Sequence, residues 1–260
     1  MTGEEWTRGA IRYTPCPSHP HPTNDLSPMA PTRIFITGGG RGIGRAIALR
    51  FAREGAHVAV AARTSEELDA VVAEIEAAGG QGIACQMNLR DHGSIEAAVY
   101  RAVDFFGEEM DILVNNAGVF DVKPFEESDL GMWERFFEVN LTGPYLVTLE
   151  SLAALRESSK SHVFNIASTA ARQGFAGSSV YCATKAGLMG WSNALREEFR
   201  EEGIRVSTVY PGTTDTRLFD GVPGDWDRGS MNKPEDVAEV VWKAYQGEGE
   251  QADLDVPPPA

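Results

Sequence analysis

The sequence predicts one α/β domain, doubly wound around a mostly parallel sheet of about seven strands. Three observations predict it. A short apolar run ends in a glycine-crowded turn, RIFITGGGRGIGR over residues 33–45, and passes at once into helical periodicity. From there to the C-terminus short apolar runs alternate with helical patterns, which implies parallel pairing through right-handed crossovers. The span 32–256 carries no internal repeat and no linker.

The elements follow in order. Ile34, Phe35 and Ile36 form the first strand, and Ile43, Ala46, Ile47 and Phe51 stand at helical spacing after the glycines. His57 to Ala61 is a second strand. Thr64 and Glu67 have the spacing of a capping box, ahead of a helix with Leu68, Val71, Val72 and Ile75 inward and Gly79-Gly80 at its end. A third strand covers Gly82 to Gln86. The next helix turns Ile95, Val99, Ala102, Val103 and Phe106 inward and stops at Gly107. Asp111 to Val114 is the fourth strand, and a helical region from Leu130 to Leu155 is interrupted by Gly143-Pro144. His162 to Ile166 is the fifth strand. A long helix over Val180 to Arg200 places Leu188, Leu195 and Phe199 on one stripe, and Arg205 to Tyr210 is the sixth strand. The last helix starts at Pro234, a favoured first-turn position, with Val237, Val240, Val241 and Ala244 inward. Asp253 to Val256 is a short seventh strand at the edge.

Composition narrows the function. The 260 residues are 42% hydrophobic and 23% charged, an ordinary globular balance with length enough for a large core. A net charge of −15 disfavours nucleic acid and anionic membranes as partners. No apolar run approaches the ~20 residues of a membrane helix, and no secretory signal is visible. Three widely spaced cysteines, Cys16, Cys85 and Cys182, suit a reducing, cytoplasmic setting without disulfides. Residues 1–31 hold six prolines and no periodicity, so a flexible tail is expected there. Within it His19 and His21 read as solvated rather than metal-binding, and no metal site is expected elsewhere. Met29 stands immediately before the domain pattern and is an alternative start.

The glycine turn implies a phosphate. A helix N-terminus presents unpaired N–H groups and about half a positive charge, and glycine lets a pyrophosphate approach them. Between a strand and a helix this is the setting of a dinucleotide site, whereas a bare glycine-rich turn would need no ligand. The second strand then bears on cofactor choice. An acidic residue after it binds the ribose of NAD, and an arginine accommodates the extra phosphate of NADP. No Asp or Glu occurs from His57 to Ser65; the strand ends Ala61-Ala62-Arg63, and Arg41 sits inside the turn. Two guanidinium groups near one phosphate point to NADP(H), unless both are plain surface arginines.

Further along, Tyr181 and Lys185 are four apart on a predicted helix and share a face. A neighbouring ammonium favours the phenolate and lowers the tyrosine pKa, which suits proton exchange with a forming alkoxide. Ser168, beyond the fifth strand where ligands gather in parallel sheets, can bond a substrate oxygen or simply cap a turn. Asn140 lies in the interrupted helix, where freed backbone groups and its amide can hold a water, or where it merely supports a kink.

These residues together resemble the short-chain dehydrogenase/reductase family, over about residues 32–245. TGGGRGIG at 37–44 is similar to its TGxxxGxG cofactor motif, NNAG at 115–118 to the motif after its fourth strand, and YCATK at 181–185 to YxxxK. Asn140, Ser168, Tyr181 and Lys185 match its Asn-Ser-Tyr-Lys tetrad, and Pro211-Gly212 with Thr216 its PG segment beside the nicotinamide. The resemblance implies a Rossmann domain in which Tyr181 is the acid/base, Lys185 lowers its pKa and binds the nicotinamide ribose, Ser168 orients the carbonyl and Asn140 anchors a water relay. It implies cofactor contacts from Gly38, Gly40, Arg41, Gly42, Ile43, Gly44, Arg63, Asn88, Leu89, Asn116, Ala117, Gly118, Tyr181, Lys185, Pro211, Gly212, Thr213 and Thr216. It also implies a homotetramer or homodimer built on the two long helices. Two departures stand out. Asn88 replaces a frequent aspartate after the third strand, and the C-terminus closes on Leu254-Asp255-Val256-Pro257 without the frequent glycine-rich ending, which weakens a fatty-acid-synthesis assignment within a 3-oxoacyl-carrier-protein-reductase-like pattern. Cys182 reads as a small buried residue.

The expected activity is NADP(H)-dependent interconversion of a carbonyl and an alcohol, on a small-molecule substrate. The alternatives are an NAD-dependent alcohol dehydrogenase and a non-catalytic cofactor sensor or scaffold with the same fold, against which the complete tetrad argues. The substrate pocket is expected between residues 170–179 and the loop 213–230, with Phe219, Val222 and Trp226 as apolar walls. Deleting Met1 to Ser27 is expected to leave turnover and melting temperature unchanged, a comparison that purified full-length and shortened proteins allow.

Overall fold

Alternation of β-branched and aromatic residues with glycine turns builds seven short strands. The structure, a computed structural model, describes residues 30–247 and 252–258. The strands are β1 (Arg33–Thr37), β2 (His57–Ala62), β3 (Gln81–Gln86), β4 (Ile112–Asn115), β5 (His162–Ile166), β6 (Arg205–Tyr210) and β7 (Asp253–Asp255). They pair in the order β3-β2-β1-β4-β5-β6-β7, and every pairing is parallel. The helices are α1 (Gly42–Ala52), α2 (Ser65–Ala77), α3 (His92–Phe106), α4 (Leu130–Phe137), α5 (Gly143–Glu157), α6 (Ser179–Glu198) and α7 (Pro234–Tyr245).

The pleat divides the strand residues between two cores. Ile34, Ile36, Val58, Val60, Ile112 and Val114 face α1, α2 and α7, where Ile47, Phe51, Leu68, Ile75, Val237 and Val241 meet them. Phe35, Ala59, Leu113, Val163 and Val206 face α3, α5 and α6, against Ile95, Val99, Phe106, Val147 and Leu195. With both faces covered, the central strands are apolar throughout rather than alternating. Strand order runs outward from β1 to β3 and then outward again from β4 to β7. The direction therefore switches between β1 and β4, and a ligand crevice opens at their carboxyl ends.

The expected strands and helices all form, with ends shifted by a residue or two. The inward positions hold for Leu68, Val71 and Ile75 in α2 and for Ile95, Val99, Ala102 and Phe106 in α3; Val72, Val103 and Val240 are only half-buried. The interruption near Gly143-Pro144 is a turn of π-helix over Glu138–Thr142 that separates α4 from α5, with Pro144 in the first turn of α5. The capping box at α2 does not form. Thr64 makes no side-chain cap there, and Glu67 turns away to two arginines described below. Elsewhere helix N-termini are capped by Asp91, which accepts from Ser94 N, and Asp129, which accepts from Met132 N. Cys182 is half-buried, not enclosed, with its Sγ directed at Gln173 O. The flexible tail expected over residues 1–31 lies outside the described residues but for the last two, as do Cys16, His19, His21 and Met29. No described helix is long and apolar enough to cross a membrane.

Candidate active site

The glycine turn after β1 is shaped by hydrogen bonds from β4. Thr37 Oγ1 donates to Val114 O at 3.3 Å and accepts from Asn116 N and Ala117 N at 3.0 and 3.1 Å. Asn116 Nδ2 donates to Thr37 O at 2.8 Å and to Gly38 O at 3.2 Å. This leaves no room for side chains. Gly38 has φ +67°, and a Cβ there would stand 2.8 Å from Asn116 Nδ2. A Cβ on Gly44 would collide with Gly38 O, which lets α1 start directly against the turn. The result is a cradle of bare backbone at the N-terminus of α1, the arrangement that receives a pyrophosphate. Asn115, one residue earlier, points the other way and donates from Nδ2 to Thr148 Oγ1 at 3.0 Å and Asn165 Oδ1 at 2.9 Å, tying β4 to β5 and α5.

A cavity of about 660 Å³ runs from this turn to Tyr181. Gly38, Gly40, Arg41, Gly42, Ile43, Arg63, Asn88, Leu89, Asn116, Ala117, Gly118, Ser168, Tyr181, Lys185, Pro211, Gly212, Thr213 and Thr216 all line it. Gly44 and Asn140 do not: Gly44 serves close packing beneath the turn, and Asn140 works from behind the wall. Its Oδ1 accepts from Val119 N at 2.8 Å, and its Nδ2 donates to Val119 O at 3.0 Å and to Thr184 Oγ1 at 3.1 Å. Both amide protons are thereby committed to protein, so the side chain fixes the strand of residues beyond Gly118 rather than reaching into the cavity.

Residues 168, 181 and 185 come together at the far end. Ser168 ends the loop after β5, and its Oγ accepts from Ala170 N at 3.1 Å, capping a 3-10 turn over Thr169–Ala171. The same hydroxyl reaches the Tyr181 phenol, so capping and positioning are two tasks of one side chain. Lys185, a turn below Tyr181 on α6, donates from Nζ to Ile166 O at 2.8 Å, and its Nζ lies 5.8 Å from the tyrosine ring centre. Burial dominates both pKa values. It pushes Tyr181 up to about 12, against the Ser168 hydrogen bond that pulls it down. It pushes Lys185 down to about 8. Lys185 Nζ is held on a backbone carbonyl, and burial is the largest influence on both groups.

Two groups of lining residues escaped the sequence reading. At the adenosine end, Glu67 Oε1 accepts from Arg41 Nη1 at 3.2 Å and from Arg217 Nη1 at 3.0 Å, so one carboxylate ties the glycine turn to the loop after β6. The helical capping pattern had assigned Glu67 elsewhere, and nothing local marks its true partners. At the catalytic end, Phe120 is the hub of an aromatic cluster. Its ring centre lies 4.8 Å from Tyr181, 5.4 Å from Phe219 and 6.0 Å from Trp226. Phe219 and Trp226 belong to the apolar loop expected at the substrate pocket; Phe120, two residues past NNAG, had no signal of its own.

The comparisons agree with this geometry. The family described as short chain dehydrogenase matches residues 32–225. A 2,5-dichloro-2,5-cyclohexadiene-1,4-diol dehydrogenase of Sphingobium indicum is 37% identical over 191 residues, which are 74% of this chain and 76% of that protein. A short chain dehydrogenase of Burkholderia cenocepacia, solved in complex with NADP, superposes with a TM-score of 0.79 at 33% identity, covering 86% of this chain and 96% of that one. A 3-ketoacyl-(acyl-carrier-protein) reductase of Brucella melitensis, solved with NADH, gives 0.79 at 29% identity over 86% of this chain and 96% of that one. With a glycine cradle, a switch-point crevice and a family match across most of its length, this chain is a short-chain dehydrogenase/reductase, an oxidoreductase of that family.

Proposed function

We propose that the protein interconverts a ketone or aldehyde and an alcohol with NADP(H), using Tyr181 as general acid and base. The observation that carries this is one cavity lined by Ser168, Tyr181, Lys185 and the glycine cradle together. The residues fit a dinucleotide: bare amides at the N-terminus of α1 for the pyrophosphate, and Arg41 and Arg63 beside the carboxyl end of β2 for a 2′-phosphate. Arg63 is exposed, and among the described residues its guanidinium has no ion-pair partner, which leaves it available to an anion. When bound, the nicotinamide supplies or takes the hydride.

The chain's own residues handle the oxygen. Ser168 donates to the carbonyl oxygen and holds it beside Tyr181. In the reductive direction Tyr181 gives its proton to that oxygen as charge develops; in the oxidative direction the phenolate takes it back. Burial favours the neutral phenol, the form that donates a proton in the reductive direction. Lys185, buried and hydrogen-bonded to Ile166 O, offers the positive charge that steadies a transient phenolate. Asn140 clamps the backbone of Val119 beneath these groups. A cytoplasmic protein acting as a homodimer or homotetramer is the setting in which we place this reaction.

Tyr181→Phe should reduce turnover by about 10²–10⁴-fold while the dissociation constant for NADPH changes little; a fully active variant rejects the mechanism. Cofactor choice follows from charge. Catalytic efficiency with NADPH should exceed that with NADH by about tenfold or more, since a charge-assisted contact is worth about 1.5–3 kcal/mol. Arg63→Ala should erase most of that preference. Glu67→Gln should strengthen it, because Arg41 is then released from a competing carboxylate; better use of NADH by the wild type would overturn the assignment.

Lys185 also ties stability to pH. Its folded pKa of about 8 lies below the unfolded value of 10.5, so the folded state disfavours the ammonium. That penalty is fully present below about pH 8 and fades as pH rises toward 10.5. It is on the order of 3 kcal/mol, partly offset by the bond to Ile166 O. Lys185→Met should therefore melt a few degrees higher than wild type at pH 6.5 while losing turnover, with the thermal advantage shrinking between pH 8 and pH 10. A variant that melts lower at pH 6.5 would contradict this.

A further inference from the structure

Beyond the cradle and the tetrad, the cavity has a second half whose chemistry is distinct, and what it would hold depends on the oxidoreductase reading above. We propose that this half accepts a neutral, ring-bearing ketone or its secondary alcohol, packed against the cluster of Phe120, Phe219 and Trp226.

Charge is the first argument. The charged residues lining the cavity are Arg41, Arg63, Glu67, Arg90, Arg217 and Lys185. The first four belong to the glycine turn and the segments after β2 and β3, and Arg217 joins them through Glu67. Lys185 is turned onto Ile166 O. No carboxylate or guanidinium therefore lines the aromatic end, and a charged substrate placed there would lose its hydration without a partner. Among the described residues, the polar side chains lining the cavity near Tyr181 include the hydroxyls of Ser168, Thr169 and Ser178, enough to orient one carbonyl.

Shape is the second. Phe219 and Trp226 stand 4.8 Å apart by ring centres, and both meet the Phe120 ring, which itself abuts Tyr181. A carbonyl held at the phenol therefore has its body against aromatic faces and edges, which favour stacked or edge-on ring contacts over a flexible chain. The walls are fixed beforehand. The loop carrying them is pinched at its neck by Asn232 N donating to Thr213 O and Asp215 N donating to Asn232 O. Inside it Arg228 donates to Asp215 Oδ1, Thr216 O and Asp220 Oδ1. Trp226 Nε1 donates to Val222 O at 3.1 Å, and Gly224, at φ +136°, gives the indole its space, since a Cβ there would lie 2.9 Å from the ring.

The rim is the third. Residues 213–230 hold four aspartates against two arginines, and both arginines are bound to acidic side chains. Such a rim repels an anionic carrier or a substrate with a carboxylate or phosphate handle.

The test is steady-state NADPH oxidation with three sets of carbonyls: neutral alicyclic and aryl ketones, short keto acids, and a 3-oxoacyl thioester carrying phosphates. The neutral ring ketones should have kcat/KM about tenfold or more above either other set. Trp226→Ala should raise KM for the best ring ketone by about tenfold with a smaller change in kcat, and Trp226→Phe should restore most of the loss, which a merely structural role would not predict. NADPH binding by each variant reports whether the fold is intact. Preference for keto acids or thioesters, or a ring-ketone KM unmoved in a folded Trp226→Ala, overturns this inference and leaves the oxidoreductase reading standing. Absence of turnover with every carbonyl and alcohol overturns both.

Discussion

The site depends on a hydrogen-bonded knot at the carboxyl ends of β1 and β4, where Thr37 and Asn116 exchange bonds across the switch point of the sheet. Parallel strands end at one edge with unpaired carbonyls and amides, and those groups must find partners once the helices cover the faces. Asn116 meets the requirement for β1 by donating to two successive carbonyls, and Thr37 does so for β4. The turn between them is thereby held open and free of side chains. Loss of either residue would expose buried backbone and let the glycine segment choose among many conformations, since glycine restricts none of them.

Behind the knot, burial decides the electrostatics. Tyr181 and Lys185 sit one helical turn apart, and in water their attraction would favour phenolate and ammonium. In this cavity both charged forms are disfavoured, and the pair rests with a neutral phenol. The lysine keeps its place through a carbonyl of β5 rather than through the tyrosine. Catalytic groups with pKa values displaced by burial are common where proton transfer occurs, and the displacement here is a property of packing between α6, β5 and the aromatic cluster rather than of the two residues alone.

How much of this was legible follows from distance along the chain. The succession of strands and helices, the glycine turn and the Tyr181–Lys185 face are written in local periodicity and spacing, and each appears in the structure, whereas the order of strands in the sheet is not. The direction of the tyrosine shift was not legible, because it follows from burial of residue 181 among groups distant in sequence such as Phe120, against the opposing hydrogen bond of Ser168. Asn140 shows the same limit: its position in a broken helix was visible, but its clamp on Val119 and Thr184, 21 and 44 residues away, was not. Glu67 was misread outright. Its spacing to Thr64 suggested a cap, yet its partners lie 26 and 150 residues away, and the stronger charge-assisted bonds prevail over a cap.

That same carboxylate joins two parts of the protein that respond to different molecules. One end of the Arg41–Glu67–Arg217 bridge belongs to the turn facing the nucleotide, the other to the lobe carrying Phe219 and Trp226. Loss of the carboxylate at residue 67 releases Arg41 and Arg217 together. Two stretches of cavity wall that lie far apart in the sequence thus share one anchor, and a substitution at residue 67 is felt in both.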